Sequence, residues 1–107
     1  MKKEFFAKAK RDIESAGIRI LEAEYRPEIS KSWHIIVDND PLLRISWDGD
    51  SCWFVLEEEL PALTKGPRIW RDIWIGENPD ARCIDRGVVI LIGKCRGEIT
   101  EFKRQKP

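Results

Sequence analysis

The sequence has one histidine, three cysteines and no excess of either charge, with 19 Lys and Arg against 19 Asp and Glu. No apolar run approaches the roughly 20 residues that a membrane-spanning helix needs. A neutral chain lacks the cationic surface that releases counterions from phosphates, which argues against direct nucleic-acid binding by the whole molecule. The first apolar stretch ends at Ala7, before Lys8, and is too short for a secretory signal. We therefore expect a cytoplasmic protein with no membrane contact.

The few cysteines and the lone histidine also restrict the chemistry. Cys52, Cys83 and Cys95 cannot all pair, and none lies in a C-x-x-C arrangement, so reduced thiols are expected. Their spacing from His34 lacks the paired knuckle of a structural zinc site. No glycine-rich elbow adjoins a cysteine to form a Cys-His nucleophile with His34. The cysteines and the histidine thus predict no catalytic residue, no metal ligand and no cofactor.

A chain of 107 residues forms one domain with one core, and residues 103–107 are expected to fray. Residues 2–16 predict a helix, because Phe5, Ala9 and Ile13 recur at helical spacing among charged residues. Gly17 ends the helix, since glycine readily adopts the left-handed conformation of a helix C-terminus. Residues 18–25 then predict a strand, and Pro27 ends it.

The middle of the chain predicts a β-meander. Apolar residues occupy every second position of three segments, and turn-forming residues separate the segments. Asp48-Gly49 predicts a tight hairpin between the second and third segments, across which Trp47 and Trp53 are expected to pair. We expect Trp33 and Trp47 in the core. The alternating positions are Trp33, Ile35, Val37, Leu43, Ile45, Trp47, Cys52, Phe54 and Leu56.

The second half of the sequence leaves alternatives open. Residues 60–67 suit a helical turn or a loop, and residues 68–75 suit a short helix or a strand. Val88–Ile92 is a continuous β-branched run and predicts a central strand, with a turn at 93–97 and a last strand at 98–103. The expected class is α+β, with an N-terminal helix packed on a mostly antiparallel sheet made of a meander and a closing hairpin.

Charge is unevenly distributed along the chain. Residues 1–11 carry a net charge of +4, whereas residues 38–59 carry −6. In a meander, the turn at 38–40 and the end of the strand at 57–59 lie at the same end of the sheet. The sequence therefore predicts an acidic rim, which is either a solvated loop end or a binding surface. Its residues are Asp38, Asp40, Glu57, Glu58 and Glu59.

Five tryptophans are many for a core of this size. Trp53, Trp70 and Trp74 are the ones that the alternation does not place. Tryptophan is over-represented among the residues that contribute most to binding energy at protein interfaces. We expect an exposed Trp70 or Trp74 to serve as a hydrophobic anchor for a partner.

One arrangement of carboxylates suggests an enzyme instead. Asp80 or Asp85 lies before the apolar run, and Glu101-x-Lys103 lies after it. Many metal-dependent nucleases hold Mg²⁺ with two carboxylates and place a lysine near the attacking water. The alternative functions are therefore a small nuclease or hydrolase, or a homo-oligomeric structural module joined through an exposed tryptophan face.

Three segments together suggest a family: Trp33-x-Ile35-x-Val37, the hairpin of Leu43–Gly49 with Trp53–Leu56, and Arg68–Trp74. In size, element order and scattered tryptophans, the chain resembles the small immunity proteins of bacterial polymorphic toxin systems, in particular the contact-dependent growth inhibition type. The resemblance implies a non-enzymatic protein that binds a cognate toxin domain, often a nuclease, and blocks it. An acidic rim suits such a partner, because acidic side chains mimic phosphate in a basic cleft.

Overall fold

The computed structural model describes residues 3–28, 31–61, 66–76 and 80–97. It confirms the α+β class, the N-terminal helix and the antiparallel meander, whose five strands lie in sequence order. Helix α1 contacts β1 and β2, α2 contacts β3 to β5, and the two helices contact each other. The elements are α1 Lys3–Ser15, β1 Ile20–Arg26, β2 Ser32–Val37, β3 Leu43–Asp48, β4 Trp53–Glu59, β5 Trp70–Gly76 and α2 Ala81–Cys95.

One face of the sheet, the helix face, packs against α1 and α2 and forms the core. Strand alternation brings Trp33 opposite Trp47 and Ile35 opposite Ile45 on this face. Both tryptophans are buried in the core, as predicted. Ile13 from α1 and Leu91 from α2 are fully buried in the same cluster. Burying each such side chain contributes about 1.5–3 kcal/mol, so this layer provides most of the stabilisation.

The other face, which we call the open face, lies opposite the helices. Its members are the alternate strand residues, identified by cross-strand partners such as Glu24 with His34 and Val55 with Ile75. The described strand residues that belong to it are Glu22, Glu24, Arg26, Ser32, His34, Ile36, Arg44, Ser46, Asp48, Trp53, Val55, Glu57, Glu59, Trp70, Asp72 and Ile75.

Both outer strands of the described sheet contain a bulge. On β1, Ile20 pairs with Val37 and Glu22 pairs with Ile36, which leaves Leu21 as the extra residue. On β5, Trp74 pairs with Leu56 and Asp72 pairs with Glu57, which leaves Ile73 as the extra residue. The bulge on β5 places Trp70 and Trp74, although four residues apart, on opposite faces of the sheet, because an extra residue shifts the alternation by one.

The prediction of a central strand at Val88–Ile92 is wrong, because this run lies in α2. The Asp80 side chain caps α2 by accepting a hydrogen bond from the Cys83 backbone at 3.0 Å. Over the longer window Ile84, Val88 and Leu91 recur at helical spacing and are buried. That periodicity, together with the cap, overrides the β preference of the branched residues.

The closing hairpin is wrong for the same reason, since its first strand and its turn belong to the end of α2 and the residues that follow it. Residues 68–75, left open between helix and strand, extend as β5 from Trp70. The hairpin between β3 and β4 is confirmed, but its turn is not the predicted tight one, because Asp48 pairs with Trp53 and residues 49–52 form the loop. Trp47 and Trp53 do not pair, since Phe54 is the partner of Trp47. The last predicted strand, residues 62–65 and the tail lie outside the described residues.

Candidate functional site on the open sheet face

The acidic rim lies at one end of the sheet, as the sequence predicts. The Glu59 amide donates to the Leu42 carbonyl at 2.9 Å, which places the end of β4 beside the loop that carries Asp38 and Asp40. Asp38 and Asp40 are exposed, whereas Glu57 and Glu58 are only 9% and 8% exposed. The rim therefore presents fewer free carboxylates than its sequence contains.

Three arginines account for the difference. Arg44 Nε donates to Glu57 Oε1 at 2.9 Å, and Arg68 Nε lies 2.9 Å from Glu59 Oε2. Glu58 points to the helix face and pairs with Arg71, its cross-strand partner. Each carboxylate at the end of β4 is thus held in an ion pair, which compensates the cost of its partial or nearly complete burial.

The two tryptophans expected as anchors have different positions. Trp74 is half-buried on the helix face, where it packs against the core beneath Gly87 of α2, edge-on to Phe54 with ring centroids 5.9 Å apart. The expectation of an exposed Trp74 is therefore wrong. Trp70 is half-buried on the open face, where the Arg44 guanidinium stacks 4.3 Å from its ring centroid. Trp53 and Ile75 are the more exposed apolar residues there, at 48% and 41%.

The open face carries an excess of negative charge. Among its described strand residues, six are carboxylates and two are arginines. The described helices have the opposite balance, with seven Lys and Arg against four Asp and Glu. The described strands and helices are therefore polarised between an acidic sheet surface and a basic helical layer, a division that the neutral total conceals.

A depression of about 330 Å³ lies over β1, β2 and β3. Its walls include Glu24 and Arg26 from β1, His34 from β2 and Ser46 from β3. The Arg26 side chain donates to Glu24 at 3.0 Å, and this hydrogen bond lowers the pKa of the Glu24 carboxyl below its ordinary value. Glu24 is therefore ionised at neutral pH, and the depression has a negative group at its edge.

A cluster of three potential ligands, the Glu–His cluster, lies beside this depression. It consists of Glu22, Glu24 and His34, whose donor atoms lie within 4.8 Å of one another. His34 Nε2 and Glu22 Oε2 are 2.5 Å apart. The sequence reasoning identified His34 but missed the glutamates, although their spacing of two on a predicted strand places both on one face. The strand is predicted to begin at residue 18, and the sequence does not reveal the bulge at Leu21 that precedes Glu22.

The residues proposed for an enzyme have structural roles where they are described. Asp80 caps α2, and Asp85 pairs with Lys8 of α1 at 3.0 Å. Glu101 and Lys103 lie outside the described residues. Among the described residues, His34 bonds to Glu22 and to no cysteine. Burial raises the pKa of the Cys83 and Cys95 thiols. A raised pKa disfavours the thiolate that nucleophilic catalysis needs.

No protein-family model, curated protein or solved structure matches this chain. In the segments that the structure describes, no helix combines the length and apolar character needed to cross a membrane. The surface that stands out is an acidic sheet face that packs against no other described element, with Trp53 and Ile75 exposed on it and a basic helical layer behind it.

Proposed function

We propose that this chain is a non-enzymatic protein-binding module, an immunity protein that neutralises a basic toxin domain, and that it binds through its open face. The observation that supports the proposal is the acidic sheet face on which Trp53 and Ile75 are exposed. Isolated exposed apolar residues are common on protein surfaces, but here two lie on adjacent strands of a face that packs against no other described element.

Electrostatics supports a basic partner for this surface. Asp72 and Asp48 are exposed on the open face, and Asp38 and Asp40 extend its negative charge at the rim. Complementary charge increases the association rate and orients the encounter, and its effect decreases as salt rises. A toxin domain that binds nucleic acid has the required basic surface, which an acidic face would cover.

The apolar residues provide the short-range part of the interaction. Trp53 presents about half of its surface and Ile75 about two fifths, so both lose water-exposed area when a partner docks. Trp70 lies on the same face, already oriented by Arg44, and would lose little side-chain entropy on binding. Glu57 and Glu59 serve mainly to hold Arg44 and Arg68 in place.

The experiment starts with affinity purification of the tagged chain from its native host, followed by recombinant production of the candidate toxin encoded beside it. Binding is then measured by calorimetry over a salt series, and protection is measured by co-expression with the toxin. We expect a one-to-one complex whose affinity falls with salt. Absence of binding and of protection with the neighbouring toxin would refute the proposal.

A matched pair of variants tests the location of the surface. Ile75→Lys introduces a cation among the open-face carboxylates and should weaken binding at least about tenfold. Val89→Lys is the control, because Val89 is 61% exposed on α2, on the opposite side of the sheet. Equal loss of affinity in both variants, or loss in Val89→Lys alone, would place the surface elsewhere.

A further inference from the structure

The Glu–His cluster combines one imidazole and two carboxylates, all provided by adjacent strands. Glu24 and His34 are direct cross-strand partners, and Glu22 occupies the neighbouring open-face position on β1. The backbone hydrogen-bonded ladder therefore fixes the three Cα positions relative to one another. Only side-chain torsions remain to be adjusted when a ligand binds. Glu22 is exposed and adjusts at little cost, whereas Glu24 is half-buried and held by Arg26.

We propose that Glu22, Glu24 and His34 form a binding site for a divalent transition-metal cation of the Zn²⁺ class. Zn²⁺ accepts imidazole nitrogen and carboxylate oxygen together, at about 2.0–2.2 Å, and three protein ligands with one open position form a common coordination set. Imidazole disfavours the oxygen-seeking cations Mg²⁺ and Ca²⁺ at this site.

The distances suit a cation after small movements. In the structure the donor atoms range from 2.5 Å apart, for His34 Nε2 and Glu22 Oε2, to at most 4.8 Å. Tetrahedral ligands at zinc distances lie about 3.3–3.5 Å from one another. The short pair must therefore open by about 1 Å, and the longest separation must close by at most about 1.5 Å. The cation takes the place of the proton that now joins Nε2 to Oε2.

The surroundings of the cluster leave room for the open coordination position. They also place one positive charge, that of Arg26, where it competes with the cation for Glu24. The adjoining depression gives space for water or another ligand on the β2 side of the cluster. Arg26 donates to Glu24 Oε2 at 3.0 Å and so repels a cation while it also holds the carboxylate in place. Removal of this arginine should therefore favour the cation, an effect opposite to that of removing a ligand.

The consequence for the fold is a cross-link between β1 and β2. Strand β1 is an outer strand of the described sheet, hydrogen-bonded only to β2. A cation bound to the folded state alone raises the unfolding temperature according to its concentration relative to its dissociation constant. Zn²⁺ should thus stabilise the protein.

The test uses the full chain with Cys52→Ser as the background, since Cys52 is an exposed thiol that would itself bind Zn²⁺. Zn²⁺ is titrated by calorimetry and by thermal unfolding. Because the chain contains one histidine, its imidazole nitrogen resonances report unambiguously on ligation by His34. We expect saturable one-to-one binding, a shift of those resonances and a raised unfolding temperature.

Variants separate this site from surface adsorption. His34→Gln and Glu22→Gln should each weaken binding by at least about tenfold, as expected for loss of a ligand. Arg26→Gln should strengthen it by about threefold, the effect of removing one exposed charge. Asp72→Asn is the control, because this open-face carboxylate lies on β5, away from the cluster, and should not change the affinity.

Three results would overturn the proposal. One is the absence of binding at millimolar Zn²⁺. Another is binding that leaves the His34 resonances unmoved. The third is unchanged affinity in His34→Gln, which would assign the ion to the general acidity of the face. The outcome is independent of the proposed partner, since the titration uses the isolated chain.

Discussion

The Arg44 guanidinium lies 4.3 Å from the ring centroid of Trp70, and its Nε donates to Glu57 Oε1 at 2.9 Å. One side chain of β3 thereby contacts both β4 and β5 across the open face. Ser46 also donates to the same carboxylate oxygen at 3.3 Å. The arginine is held by a charge on one side and an aromatic ring on the other, an arrangement worth more than an exposed ion pair.

Loss of Arg44 should leave Glu57 as a nearly buried charge with one remaining donor. We expect Arg44→Met to destabilise the protein by about 2 kcal/mol, less than the loss for a fully buried pair because Ser46 remains. Urea unfolding provides the measurement. The double variant Arg44→Met/Glu57→Met should recover most of the loss, because it removes both charges. Additive effects of the two single changes would contradict a coupled pair.

Gly87 allows α2 to approach the sheet. A Cβ at this position would lie 2.6 Å from Phe54 Cε2 and 2.9 Å from Trp74 Cζ3, both in packed aromatic rings. Gly87→Ala should therefore destabilise the protein by about 1–3 kcal/mol, in spite of the better helix propensity of alanine.

Val89→Ala is the matched control on the same helix, since Val89 is exposed, and we expect a change within about 0.5 kcal/mol. Thermal and urea unfolding of both variants give the comparison. Greater stability of Gly87→Ala would mean that propensity outweighs the contact.

Cys52 has a backbone φ of 56°, in the left-handed region that residues with a Cβ rarely adopt. Cys52→Gly should relieve a backbone strain of about 1 kcal/mol in the folded state. Part of this gain is lost, because glycine makes the unfolded chain more flexible. We expect the free energy of unfolding, measured by urea denaturation, to rise by about 0.5 kcal/mol. Cys52→Ala retains the Cβ and should show no gain; equal gains in both variants would exclude the backbone as the cause.

The three thiols should react at different rates. Cys52 is exposed, whereas Cys83 and Cys95 are half-buried, and burial raises the pKa of these two above the ordinary value of 9.0. With a thiol reagent at pH 8, one thiol should react rapidly and two slowly, since the thiolate is the reactive species. Raising the pH should continue to accelerate the slow pair above pH 9. Peptide mapping identifies them, and rapid labelling of Cys83 would contradict this order.

The meander was predictable because its signals are local. Alternation from Trp33 to Val37 and from Leu43 to Trp47, with Asp48-Gly49 between strands, leaves one consistent pairing. Val88–Ile92 misled because five apolar residues suit a buried strand or a buried helix equally well. The cap at Asp80 and the periodicity from Ile84 to Leu91 decide for the helix. Asp80 and Ile84 lie outside the run Val88–Ile92, so the run alone does not contain this information.

The site was harder to predict, because charge in a sequence does not show which charges are paired. Glu57 and Glu58 are adjacent in the chain yet point to opposite faces and pair with arginines from different strands. Trp70 and Trp74 were equivalent candidates until the bulge at Ile73 separated them. Ion pairing and bulges depend on the register of neighbouring strands, which composition and spacing do not determine.

The bulges at Leu21 and Ile73 also affect how one molecule meets another. Outer strands offer unpaired backbone groups that can recruit further strands and lead to aggregation. A bulge bends and twists its strand, so a second straight strand cannot continue the ladder in register. Charged residues beside each bulge, Glu22 on β1 and Asp72 on β5, add like-charge repulsion between copies. The same irregularities that give the open face its residues therefore protect the sheet from edge-to-edge polymerisation.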